Sequence, residues 1–243
     1  MAFALSLCTP LTAALSQSSS TAQLQSMQSQ ARTALLAATQ PASVALNGTF
    51  ASMAGPTTDS GTANLTVGLD GTFLVNLSGS GGTTSESRAV SDGNPSCTWT
   101  DKEDAVHNSL FLNCMPPAWF FPGLALLSSN SASIAAWLPS SYAVDSMGDH
   151  LQFQFVLPNT SAAQEDPQLA MPIDLILAPD THLPLYALFT AHPDNPWVHA
   201  DIAVKIAYSD YRNISGVMIP FRIQRYLNGS LVLDLTISSA SVQ

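Results

Sequence analysis

Five segments follow one another across the last third of the chain: "MPIDLILAP", "LPLYALFTAH", "VHADIAVKIAYSDY", "VMIPFRIQRYL" and "SLVLDLTISSA". In the third, Ile202, Val204, Ile206 and Tyr208 fall on one side, and Asp201, Lys205 and Ser209 on the other. That period of two marks a half-buried strand, so the five segments read as a meander of antiparallel strands. Asn228-Gly229 joins the last two with the signature of a type I′ hairpin turn. Taken as a two-residue loop, it pairs Tyr226 with Leu231, Gln224 with Leu233 and Arg222 with Leu235. Arg225 then lies diagonal to Asp234, within reach of an ion pair, and both faces of the hairpin carry large apolar groups. Pro220 donates no ladder hydrogen bond and is expected at a bulge or an edge. Asp210, Tyr211, Arg212 and Asn213 have the look of an active site, but Asp and Asn are turn formers, so they are read as the connection before this strand.

The same logic extends toward the N-terminus. "VALNGTFASM", "TANLTVGL", "TFLVNLSG" and "SESRAVSD" are short strand-like runs split by Gly-rich or Asp-Gly turns. A two-residue loop at Asp70-Gly71 would put Leu65, Val67 and Leu69 on the face opposite Phe73, Val75 and Leu77. Either a bulge restores the register or both faces are covered. Residues 79 to 98 are rich in Gly, Ser and Thr and read as a looped edge. Ahead of the sheet, Leu24, Met27, Ala31, Ala34, Leu35 and Ala38 form one apolar stripe at helical spacing, which Pro41 terminates. "MPPAWFFPGLALLSS" predicts a second helix over residues 117 to about 129, with Pro near its first turn and Trp119, Phe120 and Phe121 on it.

Composition removes several function classes. Seven Lys and Arg against seventeen Asp and Glu leave a net charge of −10, which repels phosphate backbones and anionic headgroups. Nucleic acid is therefore not an expected partner. No run reaches the roughly 18 apolar residues of a membrane-spanning helix, and the chain is expected to be monomeric. Hydrophobic residues make up 46% and charged residues 10%, enough for a sizeable core. Residues 1–16 read as the remnant of a secretion signal, with Ala14 and Ser16 placed for cleavage before Gln17, although the positive n-region is lacking. A buried N-terminal segment is the alternative, and Leu7 is too large a residue for a lipidation signal at Cys8. Residues 17–243 are then a single domain. Cys97 and Cys114 are disulfide candidates in an oxidising compartment, where closing that loop would stabilise by about 3 kcal/mol; two separate buried thiols are the alternative.

Catalytic patterns are thin. His107, His150, His182, His192 and His199 fall on separate strands and turns with no tight ligand pair, so no metal site and no cofactor are expected. There is no Gly-x-Ser-x-Gly elbow and no phosphate-binding glycine motif followed by a helix. His192, Asp194, His199 and Asp201 remain as a minor hydrolase candidate, to be judged by whether their side chains converge.

The ending "VKIAYSDYRNISGVMIPFRIQRYLNGSLVLDLTISSASV", with its Gly216-to-Pro220 spacing, resembles the bacterial periplasmic lipoprotein-carrier superfamily of LolA/LolB-like fold. "HNSLFLNCMPPAWFFP" is similar to secreted bacterial proteins of unassigned role. The resemblance implies an α+β fold, mostly antiparallel: a strongly curved incomplete barrel closed by the N-terminal helix and the aromatic-rich helix over an apolar cavity that takes up acyl chains. It also implies a periplasmic or secreted location and a lipid, or a lipoprotein's acyl chains, as partner. The expected function is non-enzymatic binding of an apolar ligand by the concave face, with Trp119, Phe120, Phe121, Phe153, Phe155, Leu231, Leu233 and Leu235 as lining candidates. A cell-envelope structural protein with a self-filled interior is the alternative.

Overall fold

The computed structural model describes residues 21–53, 58–91, 94–109, 111–114, 116–127, 137–155, 172–193 and 200–243. The proposed leader, residues 1–16, lies outside these residues. Helix α1 (Thr21–Leu36) precedes strands β1 (Ser43–Ser52), β2 (Asp59–Gly68), β3 (Phe73–Gly79), β4 (Gly82–Ser91), β5 (Asn94–Thr100) and β6 (Val106–Asn108). Two short helices follow, α2 (Phe111–Cys114) and α3 (Gly123–Leu127). Then come β7 (Trp137–Asp145), β8 (Gly148–Phe155), β9 (Pro172–Leu177), β10 (Pro184–Ala191), β11 (Ile202–Ile214), β12 (Val217–Leu227) and β13 (Ser230–Val242). The thirteen strands of the described residues form one antiparallel sheet in the order β6-β5-β4-β3-β2-β1-β13-β12-β11-β10-β9-β8-β7. The expected curved, open, mostly antiparallel α+β fold is the one observed.

This order has a geometric consequence. Two meanders meet at the β1–β13 seam, so the two open edges, β6 and β7, are consecutive in the chain. The connection between them must therefore pass from one edge of the curved sheet to the other. It does so across the concave side, carrying α2, Trp119–Phe121 and α3, all three aromatics being buried. The aromatics lie in the turn ahead of α3, not on a helix spanning 117–129. Pro122 opens α3, its carbonyl accepting from the N–H groups of Ala125 and Leu126.

Helix α1 packs on the same side, with Met27, Ala31, Leu35 and Leu36 buried. It stops at Ala37, which adopts φ 48, short of Pro41, and Ala38 of the expected stripe is exposed. Gly123 admits α1 to α3, because a Cβ there would collide with the Leu35 side chain.

Register is where sequence and structure part. The β2–β3 hairpin has a three-residue loop, with Gly68 paired to Thr72 and Gly71 at φ 84, so Phe73 lies beside Val67 and Val75 beside Leu65 on one face. Asn228 and Gly229 do form the two-residue turn, at φ 47 and 81. A bulge between Arg225 and Tyr226 then shifts the ladder, so Ile223 pairs with Leu235 and Arg222 with Thr236. The bulge keeps the apolar residues together on the concave face. Arg222, not Arg225, pairs with Asp234, at 2.8 Å. Asp210 to Asn213 belong to β11, and the turn is Ser215-Gly216. Pro220 pairs with Tyr211 on one side, while the β12–β13 ladder begins only at Arg222, so Pro220 sits where β12 is locally an edge. The expected looped edge at 79–98 is instead β4 and the first part of β5.

Candidate functional site: a cavity in the concave face

Half of the trough is filled. Phe120, Phe121, Leu124, Leu127, Leu151 and Phe153 are at most 2% exposed and form one core with α1 and the inner face of the sheet. The other half holds a cavity of about 600 Å³. Phe73, Val75 and Leu77 of β3 and Trp99 of β5 form its apolar floor, and Phe189, Ile202 and Leu227 its far wall. Pro116, Pro117 and Trp119 of the crossing segment bound it on a third side.

Two contacts tie the walls together across the trough. Arg225 of β12 donates from Nη1 to Glu86 Oε1 of β4 at 2.9 Å, although five steps of sheet order separate those strands. Asn113 of α2 bonds the His192 backbone reciprocally: Nδ2 donates to the carbonyl at 2.6 Å, and Oδ1 accepts from the N–H at 2.8 Å. Cys97 and Cys114 are joined by a disulfide that fastens α2 to β5 beside the cavity.

Trp119 is positioned from three directions. Its indole N–H donates to Glu86 Oε2 at 2.9 Å, its carbonyl accepts from the Tyr208 hydroxyl at 2.6 Å, and the Arg225 guanidinium stands 5.4 Å from its ring centroid. Burial pushes the Tyr208 hydroxyl well above the usual tyrosine range, so it acts as a neutral donor. Behind the crossing segment, Arg88 is 5% exposed and donates from Nη1 to the Pro116 carbonyl at 3.3 Å. Burial lowers its pKa to about 10, against the field of Asp70. At the rim, Trp99 stacks on His107 at 4.0 Å, and His107 bonds Asp101 at 2.9 Å.

Of the residues singled out in the sequence, Trp119 lines the cavity. Phe120, Phe121, Phe153, Leu233 and Leu235 belong to the packed core, and Leu231 is half-buried. The side chain of Phe155 lies outside the described residues. Of the hydrolase candidates, Asp194 and His199 lie outside them too; His192 Nδ1 and Asp201 Oδ1 are 3.4 Å apart, with the Asp201 side chain 82% exposed. No group of three metal-type ligands occurs among the described residues, and no helix there is long and apolar enough to cross a membrane. Glu86 and Arg225 escaped the sequence reading as a pair. The available signal was their phase: Arg225 follows Val217, Ile219, Phe221 and Ile223 at period two, and Glu86 stands opposite Val75.

No family model matches the chain, and no curated protein does. Among solved structures it is similar to a LolA superfamily protein from Nitrosomonas europaea, at 13% identity and a TM-score of 0.49, over 90% of this chain and 93% of that one. It is also similar to a DUF1329 family protein from Desulfovibrio piger, at 9% identity and a TM-score of 0.49, over 91% and 92% of the two chains. The first belongs to the superfamily that the C-terminal strands resemble in sequence. With TM-scores below 0.5, the functional reading stands on this chain's own geometry.

Proposed function

We propose that this chain is a non-enzymatic, extracytoplasmic binding protein that holds a lipid or other apolar ligand in the concave face of its sheet. One observation carries the reading: under one sheet, and among the described residues, one half is packed and the other holds a cavity of about 600 Å³ with aromatic and aliphatic side chains on its walls. The lining also carries Ser85, Glu86, Thr98, Thr100 and Arg225, and a pocket of this size with apolar walls and convergent polar groups suits a small ligand with an apolar body. Burying an acyl chain there would contribute roughly 0.8 kcal/mol per methylene without covalent chemistry. The Cys97–Cys114 disulfide suits an oxidising compartment outside the cytoplasm. The packed half is what a purely structural envelope protein would show throughout, and the open half favours binding over that reading.

Native mass spectrometry of protein isolated from its own host tests the proposal. The expected spectrum carries an extra mass that organic solvent extracts as lipid. A ligand-free mass, together with no uptake of a fluorescent fatty acid, would overturn it.

A further inference from the structure

The cavity contains an ion pair where the strand pattern calls for apolar side chains. Arg225 continues the inward row of β12 after Ile223, and Glu86 faces it from β4 opposite Val75. With its side chains 25% and 40% exposed, such a pair is screened by solvent and adds little to stability alone.

The hydrogen-bond inventory of the pair is lopsided. Both Glu86 oxygens have donors, Arg225 Nη1 on Oε1 and Trp119 Nε1 on Oε2. The guanidinium has five N–H groups. Among the described residues only the one at Nη1 meets an acceptor, and the Arg225 side chain is 25% exposed at the cavity wall. The unmet valence of the pair itself is therefore that of a donor, and a ligand that meets it must bring an acceptor; the carboxylates of Asp101 and Glu103 also line the cavity, Glu103 at its exposed rim. A guanidinium fork matches the two oxygens of a carboxylate better than it matches a hydroxyl. A cationic ligand end would find Glu86 already occupied. Lys102 at the rim does not compete, because Asp59 holds its ammonium at 2.5 Å.

Size narrows the class further. At about 30 Å³ per water-sized group, 600 Å³ accommodates roughly twenty heavy atoms, the size of one long acyl chain with its carboxylate. Resting on the binding function proposed above, we infer that the ligand is a single-chain amphiphile with an anionic carboxylate end, and that Arg225 selects that end. Glu86 holds the guanidinium in place when no ligand does, and it competes with the ligand's carboxylate for the same charge.

The test compares palmitate with hexadecanol, equal in chain length and differing at the polar end, by displacement of a fluorescent probe at a pH where palmitate is ionised. The intact protein is expected to prefer palmitate at least tenfold. Arg225→Gln should remove that preference, read as the ratio of the palmitate and hexadecanol affinities so that any general loss of binding cancels. Glu86→Gln should tighten palmitate binding several-fold, the opposite sign to a merely structural loss. Equal affinity for the two ligands in the intact protein, or a preference that survives Arg225→Gln, would overturn the inference and leave the binding function standing. If neither ligand binds the intact protein, the binding function fails and the inference with it.

Discussion

The two halves of the trough are made from the same material. Both have a period-two strand pattern, both face inward with aromatic and aliphatic side chains, and both lie under one sheet. What separates them is the cover. Over β7 to β9, helices α1 and α3 supply Leu35, Leu124 and Leu127, and the gap closes around Phe153. Over β3 to β6 the cover among the described residues is α2 and the Pro116–Trp119 turn, and a cavity lies beneath it. The alternation builds the wall, while the chain that crosses it decides whether the space is core or site.

Substitutions on the two sides should therefore fall into different assays. The largest stability effect is expected from Phe153→Ala, where the ring is fully buried among packed neighbours; about 4 kcal/mol should be lost in urea unfolding. Reducing the Cys97–Cys114 bridge, which closes 17 residues of separation, should cost about 3 kcal/mol and loosen α2, so ligand affinity should fall together with the midpoint. In the open half, Trp99→Ala should lower affinity for a bound acyl chain about tenfold and cost less stability than Phe153→Ala, because its half-buried ring lines the cavity and stacks on His107. A Trp99→Ala protein that unfolds as readily as Phe153→Ala would erase the distinction between core and site.

Much of this was legible in the residues. The C-terminal meander, the β11 burial pattern and the Asn228-Gly229 turn follow from local rules, because alternation and positive-φ turn chemistry act over a few residues. The bulge after Arg225 did not follow. It is set by the need to bring Ile223 and Leu235 to one face, a condition imposed by the whole curved sheet. The Glu86–Arg225 contact spans 139 residues of sequence and depends on that curvature, so strand phase marks Arg225 as inward-facing but does not name its partner. The aromatic run was visible, but the sequence did not separate Trp119, which faces the cavity, from Phe120 and Phe121, which face the core.

The smallest expected effect belongs to a titratable site in the filled half. His150 lies between Asp145 and Asp174, each 2.8 Å from a ring nitrogen. Burial alone lowers its pKa, but the hydrogen bonds and charges of the two carboxylates outweigh burial, and the net shift is upward from 6.5. A folded-state pKa above the unfolded one stabilises fully below the unfolded value and loses that contribution as pH rises through the folded value. The urea midpoint should therefore decline modestly above neutrality, and His150→Gln should flatten that decline. An unchanged pH profile in the variant would assign the dependence elsewhere.

The most direct test of the division between core and site is photo-crosslinking with a fatty acid that carries a diazirine in its chain, followed by peptide mapping. The predicted adducts fall on the cavity walls, at Leu77, Trp99, Phe189 and Leu227. Adducts confined to exposed apolar residues such as Val106, Val144 and Met147, with none on those walls, would contradict the account.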